Sequence, residues 1–157
     1  MSGLDRVDLK ILELLQKNAR MSLKDIAAQV YLTSPAVSAR IDKLERCGII
    51  EGYHAQINPD AFQLQIKAFI NLKMDPIMKK DLYEYVKSVR NVIQCDCVTG
   101  DYVIFLEVMF HDTRELDDFL EVLAHYGETK TQISFSSVAE HRGLPVKAEA
   151  EEEKAAS

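Results

Sequence analysis

A group of small, hydroxyl-bearing and basic residues follows one short stretch of the chain and has the chemistry to bind nucleic acid. Its members are Ser34, Pro35, Ala36, Ser38, Ala39, Arg40, Lys43 and Arg46. Small side chains let a helix enter the major groove of DNA, where serine hydroxyls can hydrogen-bond to base edges or phosphates. Arginine and lysine can meet phosphates or a guanine. The residues therefore predict recognition of double-stranded DNA, and Arg40→Ala is expected to weaken binding without unfolding the protein.

This pattern leaves an alternative open. Asp42 lies among the same residues and would repel phosphates unless Arg46, four positions later, pairs with it. Three-helix modules also serve as protein-interaction domains that do not bind DNA. The helix alone does not decide between the two functions.

Three amphipathic helices are predicted to position this group, because apolar residues recur every three or four positions in each. The expected core positions are Leu4, Val7, Ile11, Leu14 and Leu15, then Leu23, Ile26, Ala27 and Val30, then Val37, Ile41 and Leu44. Ser22 is the expected cap of the second helix, with Asp25 completing a partial capping box. Ser34, which precedes Pro35, is the expected cap of the third. Gly48 is expected to end that helix, and the whole predicts a helix-turn-helix unit.

The pattern changes after the third helix. Residues 49–57 are predicted to be extended, as a wing or as the first strand of a linker. Asn58-Pro59-Asp60 is a turn signal, with a short helical turn expected over 59–64. We predict a helix-turn-helix domain over 1–52, a linker over 53–65, a second domain over 66–140, and a tail over 141–157 whose end is disordered.

The second domain is predicted to be ferredoxin-like, with the order β-α-β-β-α-β. The expected elements are a strand over 66–74, a helix opened by Pro76, strands over 92–99 and 102–110 joined by a two-residue turn at Gly100-Asp101, a helix capped by Asp112-Thr113, and a strand over about 131–138. Two helices cover only one face of such a sheet. Phe69, Phe105 and Met109 have the parity of the open face, which predicts a homodimer through this domain.

Charge and composition exclude several classes of protein. The net charge is −6, yet residues 1–65 carry eight basic and eight acidic side chains, so the acidity belongs to the remainder. A neutral first part permits a positive face. No signal peptide and no apolar run of about 20 residues is present, so no membrane association is expected. Three cysteines, an odd number, predict reduced thiols and a cytoplasmic location.

Three runs of residues, taken in order along the chain, resemble the Lrp/AsnC family of regulators. They are Leu4 to Arg20, Arg40 to Tyr53 with its Gly48-Ile49-Ile50, and Val98-Thr99-Gly100-Asp101-Tyr102. The resemblance implies an α+β fold, in which a winged helix-turn-helix precedes a ligand-sensing ferredoxin-like domain. It further implies a transcriptional regulator that forms dimers and often octamers, with an amino acid or related small molecule as effector.

The same resemblance implies where the effector binds. The matching positions are Thr99, Gly100, Asp101, Tyr102, Val103, Thr129 and Thr131. The chain departs from the family at Val103, where a second acidic residue is common, and near Gly127, which is displaced relative to the threonines. The loss of an acid removes a partner for an amino group, so we expect an unusual effector. The alternative is that Gly100-Asp101 is only a hairpin turn.

Other kinds of site find less support. Cys95 and Cys97 would share one face of a strand, but the histidines are scattered, so free thiols are expected rather than a metal site. No phosphate loop, nucleophile–base pair or paired catalytic acids can be placed, so no catalytic residues and no cofactor are predicted. A sirohaem decarboxylase-like enzyme is the alternative from another class, although such enzymes carry basic residues where this chain has Glu51-Gly52-Tyr53.

Overall fold

A computed structural model describes residues 3–139 and 143–146 of the chain. These residues form two compact units, the first up to residue 56 together with 139 and 143–146, and the second over 57–138. The division falls inside the predicted linker. The disordered tail end predicted for 147–157 lies outside the described residues, as do 140–142. The described part of the predicted tail lies against the first helix, where the Gln16 amide donates to the Leu144 carbonyl at 3.2 Å.

The first unit consists of three helices, α1 (Arg6–Lys17), α2 (Leu23–Val30) and α3 (Ser34–Arg46). Its core contains the predicted residues Ile11, Leu14, Ile26, Ala27, Val30, Val37 and Leu44, all buried. Leu4 and Leu23, also predicted for the core, are instead 43% and 40% exposed. Leu4 precedes α1 and Leu23 is the first residue of α2, so neither lies on a complete helical turn that could bury it.

The predicted helix ends are correct at two places and wrong by one residue at a third. Ser22 caps α2 by accepting from the Asp25 N–H at 3.1 Å, although Asp25 binds the Ser22 hydroxyl instead of its backbone. Gly48 has the expected positive φ of 67° just after α3. Thr33, and not Ser34, caps α3, so the helix begins at Ser34. Proline is accepted throughout the first helical turn, where its missing N–H would have no partner inside the helix.

The segment predicted as a wing contains no strand. Residues 51–58 lie outside helices and strands. A strand needs a partner for its backbone groups, and within the described residues no other segment pairs with this one. The helical turn predicted after it is confirmed as a short 3-10 helix over Pro59–Phe62.

The second unit has the predicted order of elements. They are β1 (Ile66–Met74), α4 (Lys79–Ser88), β2 (Val92–Cys97), β3 (Ile104–Phe110), α5 (Thr113–Ala124) and β4 (Gly127–Ile133). The sheet has the order β2-β3-β1-β4 and every pair is antiparallel. Asp112 caps α5 as predicted. This is the ferredoxin-like arrangement, with β1 and β3 in the middle.

The connection between β2 and β3 is wider than the predicted two-residue turn. The backbone N–H of Val98 donates to the carbonyl of Val103 at 2.9 Å, which continues the register that places Cys97 opposite Ile104. Thr99 to Tyr102 therefore form a four-residue loop. Gly100 bends it with a φ of 110°, a value that side chains disfavour.

The last strand begins earlier than predicted, at Gly127 instead of about residue 131, and it ends at Ile133. A Cβ atom at position 127 would lie 2.0 Å from the Lys73 carbonyl oxygen, so only glycine lets the strand start against β1. Beyond Ile133 the Ser134 N–H still donates to the Lys67 carbonyl at 2.8 Å. Phe135 then points away from the unit and is fully exposed.

The two faces of the sheet differ as the alternation predicts. Ile70, Leu72 and Leu106 are completely buried beneath α4 and α5. On the opposite face the rings of Phe69 and Phe105 stack with centroids 5.7 Å apart. Beside them the Lys67 ammonium and the Glu107 carboxylate form an ion pair at 2.7 Å. The open face is thus an aromatic pair with charged neighbours.

Candidate nucleic-acid interface and effector site

The predicted DNA-facing residues of α3 divide into an exposed set and a half-buried set. Pro35, Ala39, Lys43 and Arg46 are exposed, whereas Ser34, Ala36, Ser38 and Arg40 are half-buried. Among the described residues neither Lys43 nor Arg46 takes part in an ion pair, so Arg46 does not neutralise Asp42 in the way that the sequence would allow. The end of α3 therefore presents two cations, Lys43 and Arg46, and two acids, Asp42 and Glu45, to solvent.

Arg40 has a different environment from the other basic residues of α3. Its Nη1 lies 2.6 Å from Asp5 Oδ2 and 2.6 Å from Asp8 Oδ1. The Asp8 side chain is 2% exposed and that of Arg40 is 31% exposed. A buried carboxylate is stable only with a partner, so Arg40 supports the fold. Arg40→Ala is therefore expected to reduce the stability of the fold as well as the affinity for DNA. We call these three residues the carboxylate bridge.

The charges of the carboxylate bridge stabilise one another. The hydrogen bond from the Asp8 backbone N–H and the contact with Arg40 lower the pKa of Asp5. Asp8 and Asp5 together raise the pKa of Arg40. Because the pKa of Asp5 is lowered in the folded state, its contribution to stability is present above its ordinary pKa and is lost as the pH falls through the lowered value.

The segment that follows α3 is attached to the solvent side of the helix by one tyrosine. The Tyr53 hydroxyl donates to Glu45 Oε1 at 2.9 Å. Burial, and after it the carboxylate of Glu45, raise the pKa of Tyr53 to about 12. The phenol therefore remains a neutral donor at physiological pH and holds the segment to the end of α3.

The predicted effector residues lie at one end of the sheet, on two neighbouring elements. Thr99, Gly100, Asp101 and Tyr102 form the four-residue loop described above, in which only Tyr102 is half-buried, and Val103 closes it. The Tyr102 hydroxyl donates to Glu128 Oε1 at 3.0 Å, which attaches the loop to the start of β4. That carboxylate raises the pKa of Tyr102.

The two threonines have the opposite parity on β4 to Glu128, the residue that contacts the loop. Thr129 lies opposite Leu72 and Thr131 opposite Ile70, so both have the parity of the helix-covered face. Both are half-buried. Within the described residues no side-chain hydrogen bond joins either threonine to the loop, and Glu128 is the residue of β4 that does so.

The cysteines do not form a metal centre within the described residues, where no group of three or more potential ligands occurs. Cys95 and Cys97 face Leu106 and Ile104 across the β2–β3 ladder, on the same side of the strand as predicted. Burial raises the pKa of the Cys95 thiol. The Tyr83 hydroxyl contacts Cys97 Sγ. These thiols are free in the chain.

Comparison with known proteins matches both units. A family model described as winged helix-turn-helix DNA-binding matches residues 4–51, and one described as the Lrp/AsnC ligand binding domain matches residues 67–144. The transcriptional regulator LrpB of Bacillus subtilis is 31% identical over 138 residues, which cover 88% of this chain and 93% of that protein. LrpA of the same organism is 34% identical over 131 residues, covering 83% and 96%. The chain belongs to the Lrp/AsnC family.

A solved structure agrees with this assignment. The transcriptional regulator of Neisseria meningitidis in complex with L-Met superposes with a TM-score of 0.86 at 26% identity, covering 91% of this chain and 97% of that one. The Lrp/AsnC fold predicted from the sequence is therefore confirmed. In the described part of the chain, no helix is both long and apolar enough to cross a membrane.

Asp5 and Asp8, the partners of Arg40, were not among the site residues predicted from the sequence. Their spacing of three, just before an apolar helical stripe, is that of a capping box, which was a detectable signal for the start of α1. The pairing with Arg40 across 32 residues was not detectable, because no periodic pattern links the two positions.

We predict that Arg40→Ala lowers the free energy of unfolding by about 2 kcal/mol, because it leaves the buried Asp8 carboxylate without its cation. Urea unfolding followed by circular dichroism measures the change. Lys43→Ala is the matched control, since it removes an exposed cation from the same helix, and it should change stability by less than about 0.5 kcal/mol. Equal stabilities of the two variants would contradict the structural role of Arg40.

Proposed function

We propose that this Lrp/AsnC regulator binds specific double-stranded DNA by inserting α3 into the major groove. The observation that carries the proposal is the surface of α3, where the small residues Pro35 and Ala39 lie in the N-terminal half. The cations Lys43 and Arg46, which form no ion pair with any residue that the structure describes, follow. Small residues allow close approach to base edges, and the cations are placed for phosphates. Ser34, Ala36 and Ser38 complete the set, with Ser38 as the hydrogen-bonding residue.

DNA binding is tested with the tightest duplex recovered from a randomised library by repeated selection on the protein. The affinity should fall about a hundredfold between 50 and 200 mM salt, because several phosphate contacts release counterions. Lys43→Ala combined with Arg46→Ala should abolish the gel shift. Lys80→Ala, which removes an exposed cation from α4, is the control and should bind normally. Equal affinity for the selected duplex and a scrambled one would contradict the proposal.

We propose that the regulator acts as a homodimer through the open face of its sheet, with assembly to an octamer as a further step. A monomer with a single recognition helix reads only one half-site, whereas a dimer reads two that are spaced by about 34 Å or a multiple. The stacked rings of Phe69 and Phe105 form an apolar patch on this face, and the ion pair of Lys67 and Glu107 lies beside them on the same two central strands. Aromatic side chains are enriched in protein interfaces.

We predict that Phe105→Asp converts the dimer to a monomer, because it places an unpaired charge at the centre of the apolar patch. Size-exclusion chromatography with light scattering at micromolar concentration measures the mass. Glu121→Lys, an exposed change on α5, should leave the dimer intact. A wild-type mass of one chain at that concentration would refute dimerisation through this face.

We propose that the effector is a small carboxylate bound at the loop formed by residues 99–102, completed by Val103, Thr129 and Thr131. Backbone N–H groups at a glycine turn can hold a carboxylate. The regulator of Neisseria meningitidis was solved with L-Met, which supports an amino acid or a related metabolite as the class of ligand. Val103 offers no charge to an ammonium group, so we favour a carboxylate that needs no such partner.

A thermal-shift screen with the proteinogenic amino acids and their 2-oxo acid counterparts tests this idea. A bound ligand at a hundredfold excess over its Kd stabilises by about 2.7 kcal/mol, which raises Tm by several degrees. We expect the shift with an oxo acid and none with the amino acids. Val103→Asp, which restores the acid, should gain a response to an amino acid. A clear shift of the wild type with a common amino acid would count against the unusual effector.

We propose no enzymatic activity for this chain. Its curated relatives are transcriptional regulators. The residues that the structure brings together serve to hold helices and a loop, which is the task of a binding protein. A cytoplasmic location follows from the same proposal, because the regulator must reach DNA.

A further inference from the structure

The carboxylate bridge uses every side-chain oxygen of its two acids. Asp5 Oδ1 accepts from the Asp8 N–H at 2.8 Å, and Asp8 Oδ2 accepts from the Asp5 N–H at 3.2 Å. These two bonds form the capping box of α1. The second oxygen of each acid faces Arg40 Nη1, so the start of α1 and the middle of α3 meet at one nitrogen atom.

Arg40 lies at the border between the two sides of α3. Ile41, the next residue, packs on the core of the first unit, whereas Ala39 is exposed on the side proposed to face DNA. Apolar contacts on the buried stripe resist separation of the helices but are non-directional. Charged hydrogen bonds are directional, and a fully satisfied polar network specifies a single arrangement.

We infer that Arg40 is a positioning residue for DNA recognition, and this rests on the proposed function of α3. The carboxylate bridge fixes the rotation and tilt of α3 on α1, so that Ser38 and Ala39 meet base edges at a defined height in the groove. Base contacts require placement within a fraction of an ångström, whereas phosphate contacts tolerate more freedom. Arg40 therefore contributes to specificity without contacting DNA.

Asp8→Asn distinguishes positioning from simple electrostatics, because the two explanations predict opposite changes in the affinity for DNA. Removing a negative charge near DNA should tighten binding if only charge matters. If the bridge positions α3, binding of the selected duplex should weaken about tenfold, the equivalent of losing one base contact. Asp5→Asn is the second variant, since asparagine still caps α1 and the site is half exposed. Asp5→Asn should also weaken binding of the selected duplex, but by less than Asp8→Asn does.

A second measurement uses the salt dependence of binding. Arg40→Gln should weaken binding of the selected duplex while the slope of log K against log salt stays unchanged. Lys43→Gln, at a proposed phosphate contact, should reduce that slope by about 0.9. If Arg40→Gln reduces the slope as Lys43→Gln does, Arg40 contacts a phosphate and the inference is overturned.

Comparing the affinities for a selected and a scrambled duplex shows whether a variant binds more weakly only because less of it is folded. Every variant is titrated against the selected duplex and a scrambled one, with the active fraction measured at stoichiometric concentrations. Positioning lowers affinity for the selected duplex alone, whereas partial unfolding lowers both equally. Glu51→Gln, which removes an exposed acid outside the bridge, should leave the ratio of the two affinities unchanged.

The outcomes separate this inference from the proposed function. A wild-type protein that does not discriminate between the duplexes overturns both. A wild type that discriminates, with Asp8→Asn and Asp5→Asn equal to it or tighter, overturns only the role of Arg40. Weaker binding of the selected duplex by both variants, with unchanged binding of the scrambled one, supports it.

Discussion

One buried carboxylate constrains the helical unit more than any other polar group described in it. Asp8 is almost completely enclosed, and a charge in such a place must be paired and hydrogen-bonded. In this structure Arg40 supplies the cation, and the contact between residues 40 and 8 ties α3 to α1. The hydrophobic stripes make the three helices collapse together, but an apolar contact allows rotation that a two-carboxylate contact with one guanidinium does not. Packing supplies most of the stability here, and the bridge adds to it while fixing the orientation of α3.

The sheet unit holds a loop in a fixed place at one end of its sheet. β1 pairs with both β3 and β4, so the loop after β2 and the beginning of β4 are held by the same central strand. Gly127 permits the close start of β4 against the Lys73 carbonyl. Tyr102 then reaches Glu128. The candidate effector loop is exposed, yet its two ends are fixed by the most regular part of the sheet.

The spacing of apolar residues predicted most of the fold, because it shows which side chains are buried, and burial decides which segments form helices and strands. The stripes of α1 and α3 and the alternation in β1 gave the right elements with nearly the right ends. The errors occurred where a local partner decided the outcome. Thr33 replaces Ser34 as cap because proline tolerates more than one position in the first turn. Residues 49–57 were expected to be extended, as a wing or as the first strand of a linker, yet an extended segment becomes a strand only when another segment pairs with it.

The candidate sites were less predictable than the fold, because their residues depend on partners that lie elsewhere in the chain. The exposed residues of α3 could be selected from one helix, because its buried stripe identifies the opposite side. Arg40 was read as a surface cation, since its partners lie on another helix and no pattern within α3 reveals them. The threonines of β4 came from the resemblance to the Lrp/AsnC family, while Glu128, which contacts the loop, carried no signal in the sequence.

The division of the chain into units has a consequence for its synthesis. Residues 143–146 belong with the helices that end by residue 56, so the sheet unit is an insertion within the sequence of the helical unit. At about 5–20 residues per second, the ribosome releases the three helices several seconds before the segment that lies against α1. The helices must therefore hold their arrangement alone during that interval. Residues 143–146 then join a unit whose helices were synthesised earlier, which makes the order of translation part of how this regulator assembles.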